Sequence, residues 1–167
     1  MKRALVLYDS LYGNTRFVAI CLAKGIEETG VETDCMNIDE IDIELIPSYE
    51  FLAIGSPTHM IRPSKRMKEF LQKLKSLDLR GLRGFAFDTR NHSRMNKKRW
   101  LIFENSAARI IEGTMKRKGV KILMPRESAI VQGREGPLDA TVEERFTEIG
   151  MKVGNLLAGF LPQHSNQ

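Results

Sequence analysis

Tyr8-Asp9-Ser10-Leu11-Tyr12-Gly13-Asn14-Thr15 stands between two stretches of opposite character, and its surroundings decide the fold. Before it, residues 4–8 (ALVLY) form a short continuous apolar run, as expected of a strand buried on both faces. After it, Phe17, Val18, Cys21, Leu22 and Ile26 recur at helical spacing, and Gly30 supplies a stop signal for a helix over 15–28. The segment between is a strand-to-helix loop rich in hydroxyl and amide groups, with one glycine and no lysine; it is neither a Walker A loop nor GxGxxG. A loop of this kind at a helix N-terminus offers unpaired backbone N–H groups and the positive end of the helix dipole. Ser10, Tyr12, Asn14 and Thr15 add side-chain donors, so the loop suits a phosphate monoester held by neutral hydrogen bonds, with Arg16 just beyond. The plainer alternative is a capping turn in which Asn14 or Thr15 caps the helix.

The same alternation continues outward. A second strand is expected over 31–38, an acidic, proline-containing linker over 39–48, and a third strand over 51–54 closed by Gly55. A helix over 63–77 follows, with Pro63 near its first turn, then a fourth strand containing 85–87, a helix over 106–118 with Ser106 able to cap, a fifth strand over 120–123 and a helix over 141–157. Strands alternating with helices at this spacing predict βαβ units and a parallel sheet covered on both faces. At 167 residues with 42% hydrophobic and 28% charged content, one domain over 1–161 with a polar tail at 162–167 is expected. No signal-peptide pattern or uncharged span of bilayer length occurs, so a cytoplasmic protein without membrane attachment is expected. Cys21 and Cys35 lie outside any CxxC or zinc spacing and are expected as buried thiols. The histidines, His59, His92 and His164, have no partners at ligand spacing, and no metal is expected. No GxSxG elbow is present, so the loop hydroxyls point to binding rather than nucleophilic catalysis.

A second unusual loop, Gly55-Ser56-Pro57-Thr58-His59-Met60-Ile61-Arg62-Pro63-Ser64, follows the third strand. In a doubly wound sheet of order 2-1-3-4-5, the first and third strands are neighbours whose connections leave to opposite faces, and the crevice at their carboxyl ends binds ligands. The two loops meet there. Together, YDSLYGNT at 8–15 and GSPTH at 55–59, about 40 residues apart, resemble the FMN-binding loops of the flavodoxin family, particularly the flavodoxin modules of flavodiiron proteins. The resemblance implies a flavodoxin-like three-layer α/β sandwich with a five-stranded parallel sheet, binding FMN and transferring electrons. It implies that Ser10, Leu11, Tyr12, Gly13, Asn14 and Thr15 hold the FMN phosphate. Ser56, Pro57, Thr58, His59 and Met60 would run beside the isoalloxazine, and Asp88, Thr89 and Arg90 would open the third flavin loop. An FMN-dependent NAD(P)H or quinone oxidoreductase uses the same fold and is the alternative, with His59, Arg90 and Arg94 at the edge of its pocket. A flavin-free binding module for acidic partners is the third reading.

That third loop departs from the usual acidic, aromatic-bearing pattern: residues 88–99 hold five basic residues and one acid, Asp88. The AFDTR stretch at 86–90, SAA at 106–108 and GPL at 136–138 resemble a less characterised branch of flavodoxin-like proteins. Arg90 or Arg94 beside the flavin would raise its reduction potential. The basic character is regional: residues 51–125 carry a net charge of +13, against −6 over 1–50 and −2 over 126–167. An acidic redox partner is therefore expected, with nucleic acid disfavoured. Oligomeric state is not legible. The cluster Trp100-Leu101-Ile102-Phe103 reads either as core or as a docking surface.

Overall fold

The computed structural model describes residues 2–91 and 106–159. Residues 92, 94, 100–103 and 162–167, on which expectations were placed, lie outside the described residues. The chain runs through β1 (Arg3–Tyr8), α1 (Asn14–Glu27), β2 (Glu32–Asn37), a 3-10 turn (Ile43–Ser48), β3 (Phe51–His59) and β4 (Arg62–Pro63). It continues through α2 (Lys65–Leu74), β5 (Arg83–Asn91), α3 (Ala107–Arg117), β6 (Lys121–Ile122), β7 (Glu127–Val131) and α4 (Val142–Ala158). The sheet order is β2-β1-β3-β5, with both β6 and β7 pairing β5 in parallel and β4 pairing β3 antiparallel. This is the expected α/β order, with a short hairpin added and the last strand broken in two.

The buried run of β1 shows why the sheet needs helices on both sides. Ala4, Val6 and Tyr8 enter one core with residues of α1 and α4, while Leu5 and Leu7 enter a second with α2 and α3. The same division separates Phe51 and Ala53 from Leu52 and Ile54 in β3. Successive strand side chains point to opposite faces, so a continuous apolar run is the sequence form of a sheet with no wet face. On the first face Phe87 stacks beside Phe85 and meets Phe146 edge-on, with centroids 6.2 and 6.1 Å apart. Helices α1 and α4 cross through Gly25 and Gly150, where an added Cβ would fall 2.0 Å from the Thr147 carbonyl oxygen and 2.2 Å from that of Leu22.

Several boundaries differ from expectation. The third strand does not close at Gly55 but runs to His59. Gly55 carries the ladder onward because the Phe87 ring occupies the place of a side chain, 2.1 Å from where its Cβ would be. Pairing with β5 then persists at Ser56↔Asp88 and Pro57↔Thr89, so β5 itself extends well beyond 85–87. Pro63 belongs to β4 rather than to a helix, and Ser64 caps α2, its Oγ accepting from the Met67 N–H at 3.0 Å. The fifth strand expected over 120–123 shortens to β6, and a further strand, β7, pairs β5 only beyond Pro125, which has no N–H to give to a ladder. The acidic linker holds the 3-10 turn, capped by Asp42 and anchored by buried Ile46. Cys21 is buried, but Cys35 is only partly so. No helix among the described residues is long and apolar enough to cross a membrane.

Candidate functional site

The carboxyl ends of β1, β3, β5 and β7 surround a cleft of about 710 Å³. One wall is the loop from β1 to α1, contributing Ser10, Leu11, Tyr12, Asn14 and Thr15. The N-cap of α1 is Gly13, at φ 89°, with no side chain closing the helix. This corrects the expectation that Asn14 or Thr15 caps it. Gly13 takes the left-handed conformation that glycine adopts without steric cost, its N–H donating to Ser10 Oγ at 3.1 Å. The first helical hydrogen bond runs from the Phe17 N–H to the Gly13 carbonyl. Among the described residues, the N–H groups of Asn14, Thr15 and Arg16 thus have no acceptor, and Asn14 and Thr15 line the cleft. Side chains that would have capped the helix are used elsewhere. Asn14 Nδ2 donates to the Glu135 carbonyl at 3.1 Å, and Thr15 Oγ1 lies 2.9 Å from Thr89 Oγ1, where both residues are buried.

The opposite wall is the end of β3 and its hairpin. Pro57, Thr58, His59, Met60 and Ile61 line the cleft. The register Thr58↔Pro63 and His59↔Arg62 leaves Met60 and Ile61 as a two-residue turn, both at positive φ (46° and 70°). This conformation normally selects glycine or asparagine, and it is uncommon for a β-branched residue. It presents two apolar side chains, 76% and 46% exposed, at the mouth of the cleft. Ser56 is fully buried and does not line the cleft; it braces the wall, its Oγ accepting from the Ser64 N–H at 3.2 Å and donating to the Pro57 carbonyl at 3.0 Å. Asp9 completes that brace from beneath, accepting from Ser64 Oγ at 2.5 Å and pairing with Arg66 at 3.1 Å.

Of the third-loop residues, Thr89 and Arg90 line the cleft and Asp88 does not. Asp88 is fully buried. Its Oδ2 accepts from Thr58 Oγ1 at 2.9 Å and from the Ala108 N–H at 3.1 Å, and its Oδ1 lies 3.3 Å from Arg90 Nε. The Ala107 N–H donates in turn to Thr58 Oγ1 at 3.1 Å. One carboxylate, set at the positive end of α3, therefore ties together β3, β5 and α3. Arg90 is 6% exposed and lies beside Asp88 at close range.

The expectations omitted Ile61, Asn91, Val131, Gly133 and Arg134 from the lining. The last three belong to β7 and to the glycine-bearing loop after it. Gly133, Gly136 and Pro137 were the available signal, since a glycine-rich turn leaving the carboxyl end of a parallel strand borders the crevice. Among the described residues no acidic side chain lines the cleft, and no cluster of metal-ligating side chains occurs.

An anion-ready helix terminus facing an apolar shelf at the switch point of this strand order agrees with comparison to known proteins, in which the family model described as Flavodoxin matches residues 6–149. The chain belongs to the flavodoxin family. A probable flavodoxin 1 of Bacillus subtilis (strain 168) is 28% identical over 94 residues, covering 56% of this chain and 60% of that protein. An NAD(P)H dehydrogenase (quinone) of Cupriavidus metallidurans is 28% identical over 102 residues, 49% of this chain and 51% of that protein. The match thus spans little more than half the length of these relatives. Among solved structures, a flavodoxin from the domain Archaea superposes with a TM-score of 0.76 at 20% identity, over 93% of this chain and 99% of that one. The flavodiiron protein from Giardia intestinalis gives 0.75 at 21%, over 96% of this chain and 37% of that one. These structural likenesses establish the shared fold.

FMN is the cofactor of the flavodoxin family, and the chemistry of this cleft fits it. The free N–H groups of α1 and the hydroxyl of Ser10 match a phosphate, while Leu11, Pro57, Met60 and Ile61 supply apolar surface for a flat aromatic ring.

Proposed function

We propose that this chain is an electron carrier that binds one FMN noncovalently, accepts electrons from a reductase and passes them to an acidic partner protein. It acts as a single module over 1–161 in the cytoplasm, without nucleic acid or membrane. The observation that carries this reading is the uncapped α1 terminus opening into the same cleft as the apolar Met60–Ile61 turn, with no acidic side chain lining it among the described residues. Bound FMN would supply the one- and two-electron redox chemistry. The protein's part is to hold and orient it. The loop from Ser10 to Thr15 binds the phosphate, and Thr58, fixed by Asp88 and the Ala107 N–H, sets the height of the β3 wall. Met60 and Ile61 exclude water from one side, and no side chain is required to form or break a bond.

The test is the absorption spectrum of the purified protein, followed by denaturation and chromatography of the released chromophore. FMN supports the reading, whereas riboflavin, FAD or an empty cleft rejects it. The +13 charge of residues 51–125 motivates the acidic partner. Stopped-flow electron transfer to such a partner should slow as salt rises, and a rate indifferent to ionic strength removes the steering claim.

Similarity to an NAD(P)H dehydrogenase (quinone) motivates the second reading, an FMN-dependent reductase, with His59 and Arg90 at the edge of a substrate space. Steady-state NAD(P)H oxidation by the flavin-loaded protein, with and without a quinone, separates the two.

A further inference from the structure

We propose that Arg134 is a charged partner of the FMN phosphate, so that this chain adds a cation to the neutral donors of its phosphate loop. The proposal rests on the FMN reading above and goes beyond it by assigning a residue outside the three expected loops.

The segment Asp9 to Thr15 contains no lysine or arginine, and Arg16 does not line the cleft. The cation comes instead from the far side of the sheet. After β7 the chain folds back on itself: the Gln132 N–H donates to the Pro137 carbonyl at 2.8 Å, the Asp139 N–H to the Ile130 carbonyl at 2.9 Å, and Val131 bridges Leu138. The tip of this hairpin is pinned to the first residue of α1 by the bond from Asn14 Nδ2 to the Glu135 carbonyl. Its glycines allow that approach. Gly136, at φ 135°, lies against Asn14, and a Cβ on Gly133 would stand 3.1 Å from the Gly136 carbonyl oxygen. Arg134, adjacent to the pinned residue, therefore shares a cleft with Ser10, Asn14 and Thr15.

Its charge is uncommitted. Arg66, Arg126 and Arg145 each pair with a carboxylate, as does Arg90 within the cleft, whereas Arg134 makes no ion pair among the described residues. A guanidinium presents donors in a planar fork suited to phosphate oxygens, and a phosphate monoester lacking a nearby cation leaves most of its charge to be balanced by solvent.

The test is titration of the flavin-free full-length chain with FMN and with riboflavin, read by flavin fluorescence, for wild type, Arg134→Gln and Arg134→Lys. Wild type should prefer FMN. In Arg134→Gln that preference should fall roughly tenfold, entirely through weaker FMN binding, as for loss of one partly solvated charge-assisted contact. Arg134→Lys should retain most of it, and FMN affinity should depend less on salt in the glutamine variant. Since Arg134 is exposed, both variants should keep the wild-type circular dichroism. An unchanged FMN preference in Arg134→Gln overturns the proposal, as does an equal loss for both flavins, which would place the side chain away from the phosphate. Wild type that binds neither flavin, or both equally, refutes the FMN reading itself, a result distinguishable before any variant is made.

Discussion

Replacing Asp88 by Asn tests whether one buried carboxylate holds the site together. The substitution keeps size and shape but removes the charge and turns one acceptor atom into a donor. Oδ2 receives the Thr58 hydroxyl at 2.9 Å and the Ala108 N–H at 3.1 Å, and Oδ1 faces Arg90 Nε at 3.3 Å. An asparagine oxygen can serve one side of this arrangement, leaving its amide against a donor on the other. Arg90, 6% exposed, then loses the carboxylate charge of Asp88 beside it. Breaking a buried pair from one side typically costs about 3 to 5 kcal/mol, and each hydrogen bond to a charged group contributes about 1.5 to 3 kcal/mol. Allowing for the bonds that asparagine retains, a loss of about 3 kcal/mol is expected, or a Tm lower by roughly 6 to 12 °C in a chain of this size. The assay is urea unfolding followed by circular dichroism. Removing the arginine as well, in Asp88→Asn/Arg90→Gln, should recover part of the loss, because the guanidinium that faced the carboxylate is then gone too. A single-variant loss below about 1 kcal/mol, or a double variant at the additive sum, would refute the view that Asp88 is the keystone between β3, β5 and α3.

Thr15→Val removes the 2.9 Å contact with Thr89 and a hydroxyl at the phosphate loop, and should weaken FMN by about 1 to 3 kcal/mol while sparing riboflavin, as read by fluorescence titration. Gly25→Ala should destabilise by about 1 to 3 kcal/mol despite alanine's better helix propensity, because its Cβ would meet the Thr147 carbonyl at 2.0 Å. Gly113→Ala in α3, whose nearest neighbour is the flexible end of Arg117 at 3.4 Å, should stabilise by up to about 1 kcal/mol, and chemical denaturation of the pair checks both signs. Burial pushes the Cys35 thiol up from 9.0 to about 12, so at pH 8 its iodoacetamide labelling should be on the order of a thousandfold slower than in the unfolded chain. Because the folded value is the higher one, the stability it contributes is present below about pH 9 and lost as pH climbs toward 12.

The α/β order, the four helices among the described residues and the two principal walls of the cleft were legible in the chain because each leaves a local trace. A run buried on both faces has no polar alternation, a helix has its period, and a glycine or proline marks where the backbone must change direction. ALVLY at 4–8 and the spacing from Phe17 to Ile26 are such traces, and Ser106 does cap α3, its Oγ accepting from the Arg109 N–H at 3.2 Å. What stayed hidden depended on partners distant in sequence. Gly55 reads as a strand end until the Phe87 ring is seen filling its side-chain space, and Asn14 reads as a helix cap until Glu135 is found 3.1 Å away. Asp88 reads as a flavin-loop charge, yet it is a fully buried brace that pairs with Arg90, which does line the cleft. Arg134 carries no local mark of a site; only the pairing of β7 with β5, and the hairpin that follows, bring it to the same cleft as the loop between β1 and α1. Periodicity records which face of an element is dry. Which distant residue stands opposite a given side chain is set by strand register and helix crossing, and these exist only once the sheet is assembled.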